Sequence, residues 1–348
     1  WRGRDLVAQE GLPDDIDRAT VERMAGELRE MNAYSSYQRI QTLVLMALQL
    51  TLVLVYSFVG LSVRELFGLM LLTAGCTLMM RELSLFCMRR MRRSYDAQWL
   101  LAHVCGAERL ALLLALDEPL SAQEWTCFDA LLARREAGEP LQYVLGEASF
   151  LGRAFRVDPR VLIPRADTET LAEAMCACLT PGLRVLDMGV GSGALAISAA
   201  LACPQARVTG ADISEDALAV ARENGERLGA RVEWVRSDLF SALEGRCFDM
   251  IVSNPPYIPT GELKGLQREV RREPVLALDG GEDGLACYRA IVRGLPGRLC
   301  PGGSLLLEVG DGQAARVRAL LEKLFDSTAV LADLSGLDRV VTGDGYAG

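Results

Sequence analysis

Val185-Leu186-Asp187-Met188-Gly189-Val190-Gly191-Ser192-Gly193 runs from a short apolar strand through a glycine turn into a helix, and the chain beyond it repeats that alternation. Strands are predicted at 183–187, 207–212, 231–236, 248–253, 303–309, 329–333 and 339–342, and helices at 168–179, 192–203, 214–228, 284–296 and 312–325. Alternation of this kind gives a parallel sheet covered by helices on both faces. Ligands in such sheets sit beyond the carboxyl ends of the strands, near the point where strand order reverses. The residues that close each strand are therefore the candidate binding residues.

Three acids stand at such ends. Asp187 precedes the glycines directly, where it can meet an amino group and would repel a pyrophosphate. Asp212 ends the second strand, placed to accept hydrogen bonds from both hydroxyls of a ribose. Asp238 follows the third in Ser237-Asp238-Leu239-Phe240, where its carboxylate can take an adenine amino group while Leu239 packs on the ring. The turn residues Gly189, Val190, Gly191, Ser192 and Gly193 bring backbone close to a ligand and present the free N–H groups of a helix start. Gly189, Gly191 and Ala194 also satisfy the looser dinucleotide fingerprint. A nicotinamide cofactor accounts only for Asp212, whereas S-adenosylmethionine accounts for all three acids.

The fourth strand, Phe248-Asp249-Met250-Ile251-Val252-Ser253, leads into Asn254-Pro255-Pro256-Tyr257. Pro255 and Pro256 rule out further strand or helix and stiffen the turn. Asn254 can then offer its side-chain carbonyl to a planar NH2 group, the Pro255 carbonyl can accept the second N–H, and the Tyr257 ring can cover the flat face. This suits a nitrogen conjugated to a carbonyl or a ring, a poor nucleophile that must be positioned. The tetrapeptide resembles the signature of methyltransferases acting on such nitrogens; the alternative is an ordinary proline-rich turn. Asn254, Pro255 and Tyr257 are the candidate catalytic residues, Pro256 joins them against the substrate, and Asn254 also borders the cofactor.

The chain has 348 residues, enough for about two domains at roughly 150 residues each. Half the residues are hydrophobic and 24% charged, which excludes a disordered chain. A formal charge of −9 argues against a general nucleic-acid binder. Ten cysteines include no CxxC pair, and His103 is the single histidine, so no metal site is expected. The lone histidine also excludes a Ser-His-Asp or Cys-His hydrolase. The cysteines read as buried, reduced thiols of a cytosolic protein.

From Ile40 to Val63 there is no charged residue, and Leu66 to Met80 forms a second uncharged run. The first exceeds the roughly 20 residues that cross a bilayer as a helix. Arg81, Arg89, Arg90, Arg92 and Arg93 follow, a cluster that the positive-inside rule keeps in the cytoplasm. The sequence thus predicts a transmembrane helical hairpin with a basic flank over 40–93, preceded by an acidic helical segment over 1–39. Membrane association would run through residues 40–80, anchoring a cytoplasmic catalytic part to the inner face of the cell membrane. The first run lies too far along, without a small-residue cleavage site, to be a signal peptide. Because the chain begins at Trp1 rather than Met, its natural N-terminus is expected to lie further upstream.

Residues 94–140 read as a small helical domain, with Ser121 and Glu124 forming a capping box. Short strands are expected at 142–146, 150–152 and 155–157. Thr168 or Asp167 reads as a helix cap, and Glu273 with Arg271 or Arg272 as a surface ion pair.

One family becomes visible when the motifs are taken together. Gly138-Glu139-Pro140-Leu141-Gln142-Tyr143 leads through Phe150, Gly152 and Phe155 to Leu162-Ile163-Pro164-Arg165-Ala166-Asp167-Thr168-Glu169. Asp187 to Gly193 and Asn254 to Tyr257 follow, then Glu273-Pro274-Val275-Leu276-Ala277-Leu278, Gly280-Gly281 and Asp283-Gly284-Leu285. Over residues 94–348 this resembles the bacterial peptide-chain release factor glutamine methyltransferases, the HemK/PrmC family.

The resemblance implies an α/β fold: a seven-stranded Rossmann-like S-adenosylmethionine-dependent methyltransferase domain (161–348) behind a helical substrate-binding domain and connecting hairpin (94–160). It implies methylation of the side-chain amide nitrogen, N5, of the glutamine in the Gly-Gly-Gln motif of class I release factors. It also implies that Arg165, Thr168 and Glu169 shape the pocket. No direct nucleic-acid partner is expected, and the chain is expected to be a monomer. The alternative activity is N-methylation of an exocyclic amino group of a nucleic-acid base; a membrane-bound adaptor that has lost activity is a third reading. The hydrophobic front has no counterpart in the family pattern, and Ala166 stands where proline is common.

Overall fold

The computed structural model describes residues 95–107, 109 and 121–348. The acidic segment 1–39 and the hydrophobic hairpin of 40–93 lie outside the described residues. The expectation of a transmembrane helix is corrected: among the described residues no helix is long and apolar enough to cross a membrane. Even the longest of the described helices falls short of a span. The helix Ala122–Glu136 has 15 residues, which at 1.5 Å per residue spans about 22 Å against a hydrocarbon core of roughly 30 Å.

The chain divides into two compact units, 1–136 and 137–348. In the first, residues 95–105 and Ala122–Glu136 are helical, and Arg135 pairs with Asp96 at 2.6 Å. The capping box forms as its sequence requires. The Ser121 hydroxyl accepts from the Glu124 N–H at 3.3 Å, and the Glu124 carboxylate accepts from the Ser121 N–H at 2.8 Å. His103 is exposed on the first of these helices.

The second unit opens with a helical turn, Leu141–Leu145, where the sequence suggested a strand. Gly146 ends it with a left-handed φ of 77°, the conformation that stops a helix and that glycine adopts without strain. Strands β1 (Glu147–Phe150) and β2 (Arg153–Arg156) form an antiparallel hairpin. The remaining strands are β3 (Arg184–Met188), β4 (Arg207–Asp212), β5 (Val232–Arg236), β6 (Phe248–Ser253), β7 (Leu299–Glu308), β8 (Phe325–Ala332) and β9 (Asp338–Tyr346). They build one seven-stranded sheet in the order β5-β4-β3-β6-β7-β9-β8.

The first five sheet strands are parallel, but β9 runs antiparallel to both neighbours, so the sheet is mixed rather than wholly parallel. The cause is the short link 333–337 between β8 and β9, too short for the crossover that parallel strands need. Asp333 closes it by accepting from the N–H groups of Ser335 and Leu337, at 2.8 and 3.0 Å. This is a seven-stranded, doubly wound, Rossmann-like α/β fold.

Alternation along the central strands fills two cores. Val185, Met250, Val252 and Leu306 point to one face, against Leu171, Met175, Ile197 and Leu218 of the helices Ala166–Ala177, Ala194–Ala202 and Glu215–Leu228. Leu186, Ile251, Leu305 and Leu307 point to the other, against Tyr288 and Ile291 of Ala286–Gly294 and Val317 and Leu321 of Ala314–Leu321. Strands buried on both faces must be apolar throughout, as Leu305-Leu306-Leu307 is. The cysteine reading also changes: Cys247 and Cys300, at the starts of β6 and β7, are bonded to each other, and among the free cysteines described only Cys203 is buried.

Candidate active site

The strand order reverses between β3 and β6, and a cleft of about 270 Å³ opens beyond their carboxyl ends. Gly189, Gly191, Asp212, Asp238, Leu239, Asn254, Pro255 and Pro256 all border it. Residues from four strand ends that lie far apart in sequence thus meet on one surface.

The glycine turn leaves β3 with left-handed φ at Gly189 (77°), Gly191 (52°) and Gly193 (88°). A Cβ added at Gly189 or Gly191 would meet nothing within 4 Å. These two positions face open space on the cleft side, so a side chain there would take up volume a ligand could use. Val190 and Ser192 are buried behind the turn, and a Cβ at Gly193 would strike Ile197 at 2.9 Å. These three shape the turn from behind and do not line the cleft. Asn224, missed in the sequence, braces it: the buried amide donates to the Ser192 carbonyl at 2.9 Å and to the Arg156 carbonyl at 3.0 Å.

Asp187 sits beneath the turn rather than on the cleft wall, 1% exposed. One carboxylate oxygen accepts from the Ala196 N–H at 2.9 Å, and the other has no hydrogen-bond partner among the described residues. Burial pushes its carboxyl up to about 7. Asp212 borders the cleft half-buried, accepting from the Gly191 N–H and the Ser214 N–H at 2.9 Å each. Burial raises its pKa, and these backbone donors pull it back. Asp238 is exposed, and Leu239 beside it holds a φ of 48°, a conformation costly for a branched residue. The arrangement fits an adenosine-bearing ligand: open glycine backbone, a half-buried acid at β4 and an exposed acid with an apolar neighbour after β5.

The Asn254 turn is held from three sides. The Ser253 hydroxyl donates to the Met188 carbonyl at 2.7 Å, tying β6 to β3. The Asn254 Nδ2 donates to the Thr168 hydroxyl at 3.0 Å, which leaves the side-chain carbonyl as the amide's remaining acceptor. Thr168 therefore does not cap its helix; the cap position is Arg165, with no side-chain cap bond. Gln313, also missed, donates from Nε2 to the Tyr257 carbonyl at 2.9 Å and accepts from the Gly310 N–H at 3.2 Å. Tyr257 is half-buried against the core and lies outside the cleft lining, with its phenol pushed up to about 12 by burial. Gly284 faces it so closely that a Cβ would lie 2.4 Å from the Tyr257 carbonyl oxygen. The Gly280 to Leu285 motif therefore packs the underside of the turn.

Glu273 corrects the surface-pair reading. It is 4% exposed, pairs with Arg165 rather than Arg271 or Arg272, and accepts from the Ile163 N–H at 3.0 Å. It thereby pins the Ile163-Pro164-Arg165 segment against the loop that borders the cleft. Glu273→Ala is expected to lower unfolding stability by about 2 kcal/mol, because it strips a buried N–H of its acceptor. Glu273→Gln should recover much of that loss, and chemical denaturation of the three proteins checks both.

Among the described residues no group of three or more His, Cys, Asp or Glu side chains could hold a metal ion. Residues 89–146 match the family model for the PrmC N-terminal domain, and residues 166–269 that for the methyltransferase small domain. The release factor glutamine methyltransferase of Geobacter sulfurreducens is 46% identical over 250 residues, covering 71% of this chain and 88% of that protein. That of Moorella thermoacetica is 44% identical over 254 residues, covering 71% of this chain and 90% of that protein. A solved release factor-specific protein-(glutamine-N5) methyltransferase from Alicyclobacillus acidocaldarius is 35% identical, with a TM-score of 0.34 over 54% of this chain and 97% of that one.

Proposed function

The chain belongs to the release factor glutamine methyltransferase family, and from that premise we propose that it methylates N5 of the glutamine in the Gly-Gly-Gln motif of class I release factors, with S-adenosylmethionine as methyl donor. The enzyme works in the cytoplasm, where release factors meet the ribosome. One observation carries the reading: the Asn254 amide spends its nitrogen on Thr168 and keeps its carbonyl for a donor in the cleft.

Asp212 would hold the ribose hydroxyls, Asp238 and Leu239 the adenine, and Gly189 and Gly191 would let the ligand lie against the backbone. Bound S-adenosylmethionine supplies an electrophilic methyl group on a positively charged sulfur. The chain's own part is to prepare the nucleophile. An amide nitrogen shares its lone pair with its carbonyl, so it reacts only when held at close range in a fixed orientation. Asn254 and the Pro255 carbonyl would accept its two N–H bonds, and acceptors there also favour the positive charge that grows on nitrogen. Tyr257, neutral at working pH, stiffens the turn from below. The methylated amide is a strong acid before it loses its proton, so water suffices to take it, in keeping with a single, exposed histidine outside this unit.

Methyl transfer from labelled S-adenosylmethionine to purified release factor tests the proposal. Label should enter the intact factor and fail to enter one carrying Gln→Ala in its Gly-Gly-Gln loop. Equal labelling of both, or of neither, would overturn it.

A further inference from the structure

Glu308 closes β7, next to the strand that carries Asn254, and the reading above gives it no part. Its side chain is 1% exposed, and Oε2 has no hydrogen-bond partner among the described residues. A carboxyl so placed is costly unless it serves a purpose. Thr168 and Asn254 are the two side chains whose hydrogen-bonding groups favour its ionised form, and they are joined to each other, Asn254 Nδ2 donating to the Thr168 hydroxyl at 3.0 Å.

A hydroxyl has one hydrogen to give. With an ionised carboxylate beneath it, Thr168 gives that hydrogen to Glu308 and turns a lone pair to Asn254. The donors then point one way, from the Asn254 N–H to the Thr168 oxygen and from the Thr168 O–H to the carboxylate, and any N–H that Asn254 turns directly to Glu308 points the same way. The two ends of an amide have nearly the same shape, so its hydrogen-bond partners decide which way it turns. We propose that Glu308 is a positioning residue that fixes the orientation of the Asn254 amide through Thr168, so that the carbonyl and not the NH2 faces the substrate nitrogen. This inference rests on the proposed reaction for its consequence, but its physical content concerns Asn254 alone.

The groups facing Glu308 are few. Asp167, on the helix Ala166–Ala177, pairs with Arg339 of β9 at 3.1 Å. Tyr288 donates to the Glu308 main-chain carbonyl at 2.8 Å, and the Tyr257 ring lies nearby. Burial raises both phenols far above neutrality, so neither changes charge there. Burial, reinforced by the Asp167 charge, also pushes the Glu308 carboxyl up to about 7, while hydrogen bonds from Thr168 and Asn254 and the Arg339 charge pull against it. Above that pH the carboxylate is an acceptor only and the chain of donors is set. Below it the protonated acid can donate to Thr168, and the direction is lost. Turnover should therefore fall as pH drops through about 7.

The test compares wild type, Glu308→Gln and Glu308→Leu from about pH 5.5 to about pH 8.5. Glutamine keeps an acceptor oxygen and does not titrate. It should stay within about tenfold of wild-type kcat at high pH and lose the acid limb. Leucine accepts nothing and should lower kcat about 100-fold with S-adenosylmethionine binding unchanged. A second readout needs no substrate: the Asn254 side-chain amide signals of isotope-labelled protein, identified by their absence in Asn254→Asp. They should shift with pH in wild type and stand still in Glu308→Gln. An acid limb retained by Glu308→Gln, wild-type kcat in Glu308→Leu, or amide signals indifferent to Glu308 would each overturn the inference. Failure of wild type to methylate release factor, with the amide signals titrating as described, would instead strike the reaction and leave the positioning role standing.

Discussion

Asn254→Ala should lower turnover about 1,000-fold or more while S-adenosylmethionine binds nearly as before. Two losses combine. The substrate amide loses the acceptor that holds its nitrogen in line, and the growing charge on that nitrogen loses a carbonyl dipole aimed at it. Removing one preorganised group of this kind typically costs about 100- to 1,000-fold, and the orientation it gives adds to that. The fold should survive, because the turn is tied independently through Ser253 to Met188 and through Gln313 to the Tyr257 carbonyl. Single-turnover methylation beside a calorimetric titration with S-adenosylmethionine separates the two effects. An equal drop in both would mean that Asn254 serves the cofactor rather than the substrate amide.

Asp212→Ala should do the reverse, weakening S-adenosylmethionine binding by about 100-fold or more. Each carboxylate oxygen already accepts one backbone N–H, from Gly191 or Ser214. A carboxylate oxygen has a second lone pair, so the same group can take the ribose hydroxyls without releasing the turn. Hydrogen bonds to a charged group are worth about 1.5–3 kcal/mol each, and two of them reach the stated loss. The substitution also leaves the Gly191 N–H without its acceptor, so part of the effect comes from a looser glycine turn. Unfolding measured without ligand gives that part separately. Unchanged affinity would remove Asp212 from the ribose.

Much of this site is legible in the sequence because each motif closes a strand, and strand ends in a doubly wound sheet converge. Asp212, Asp238 and Asn254 could be picked out by their place after apolar runs, with no knowledge of what lay across from them. The supporting residues could not. Thr168 meets Asn254 across a separation of 86 residues, Gln313 meets Tyr257 across 56 and Asn224 meets Arg156 across 68, and Glu308 lies on a different strand from the turn it supports. Glu308 offers the faint signal of an acid ending the all-leucine run Leu305-Leu306-Leu307, the same signal that marks Asp187 and Asp212. Glu273 reads as a surface partner in sequence because Arg271 and Arg272 are its nearest cations along the chain, whereas Arg165 is its partner in space. The hydrophobic runs before residue 94 lie outside the described residues, and no described helix answers to a membrane span.

The most direct test of the central claim is to locate the transferred methyl group by tandem mass spectrometry of release factor treated with this enzyme and S-adenosylmethionine. One methyl on the side-chain amide nitrogen of the Gly-Gly-Gln glutamine, absent from the Asn254→Ala reaction, is the expected result. A methyl placed elsewhere on the factor, or transfer to a nucleic-acid base under the same conditions in its stead, would contradict it.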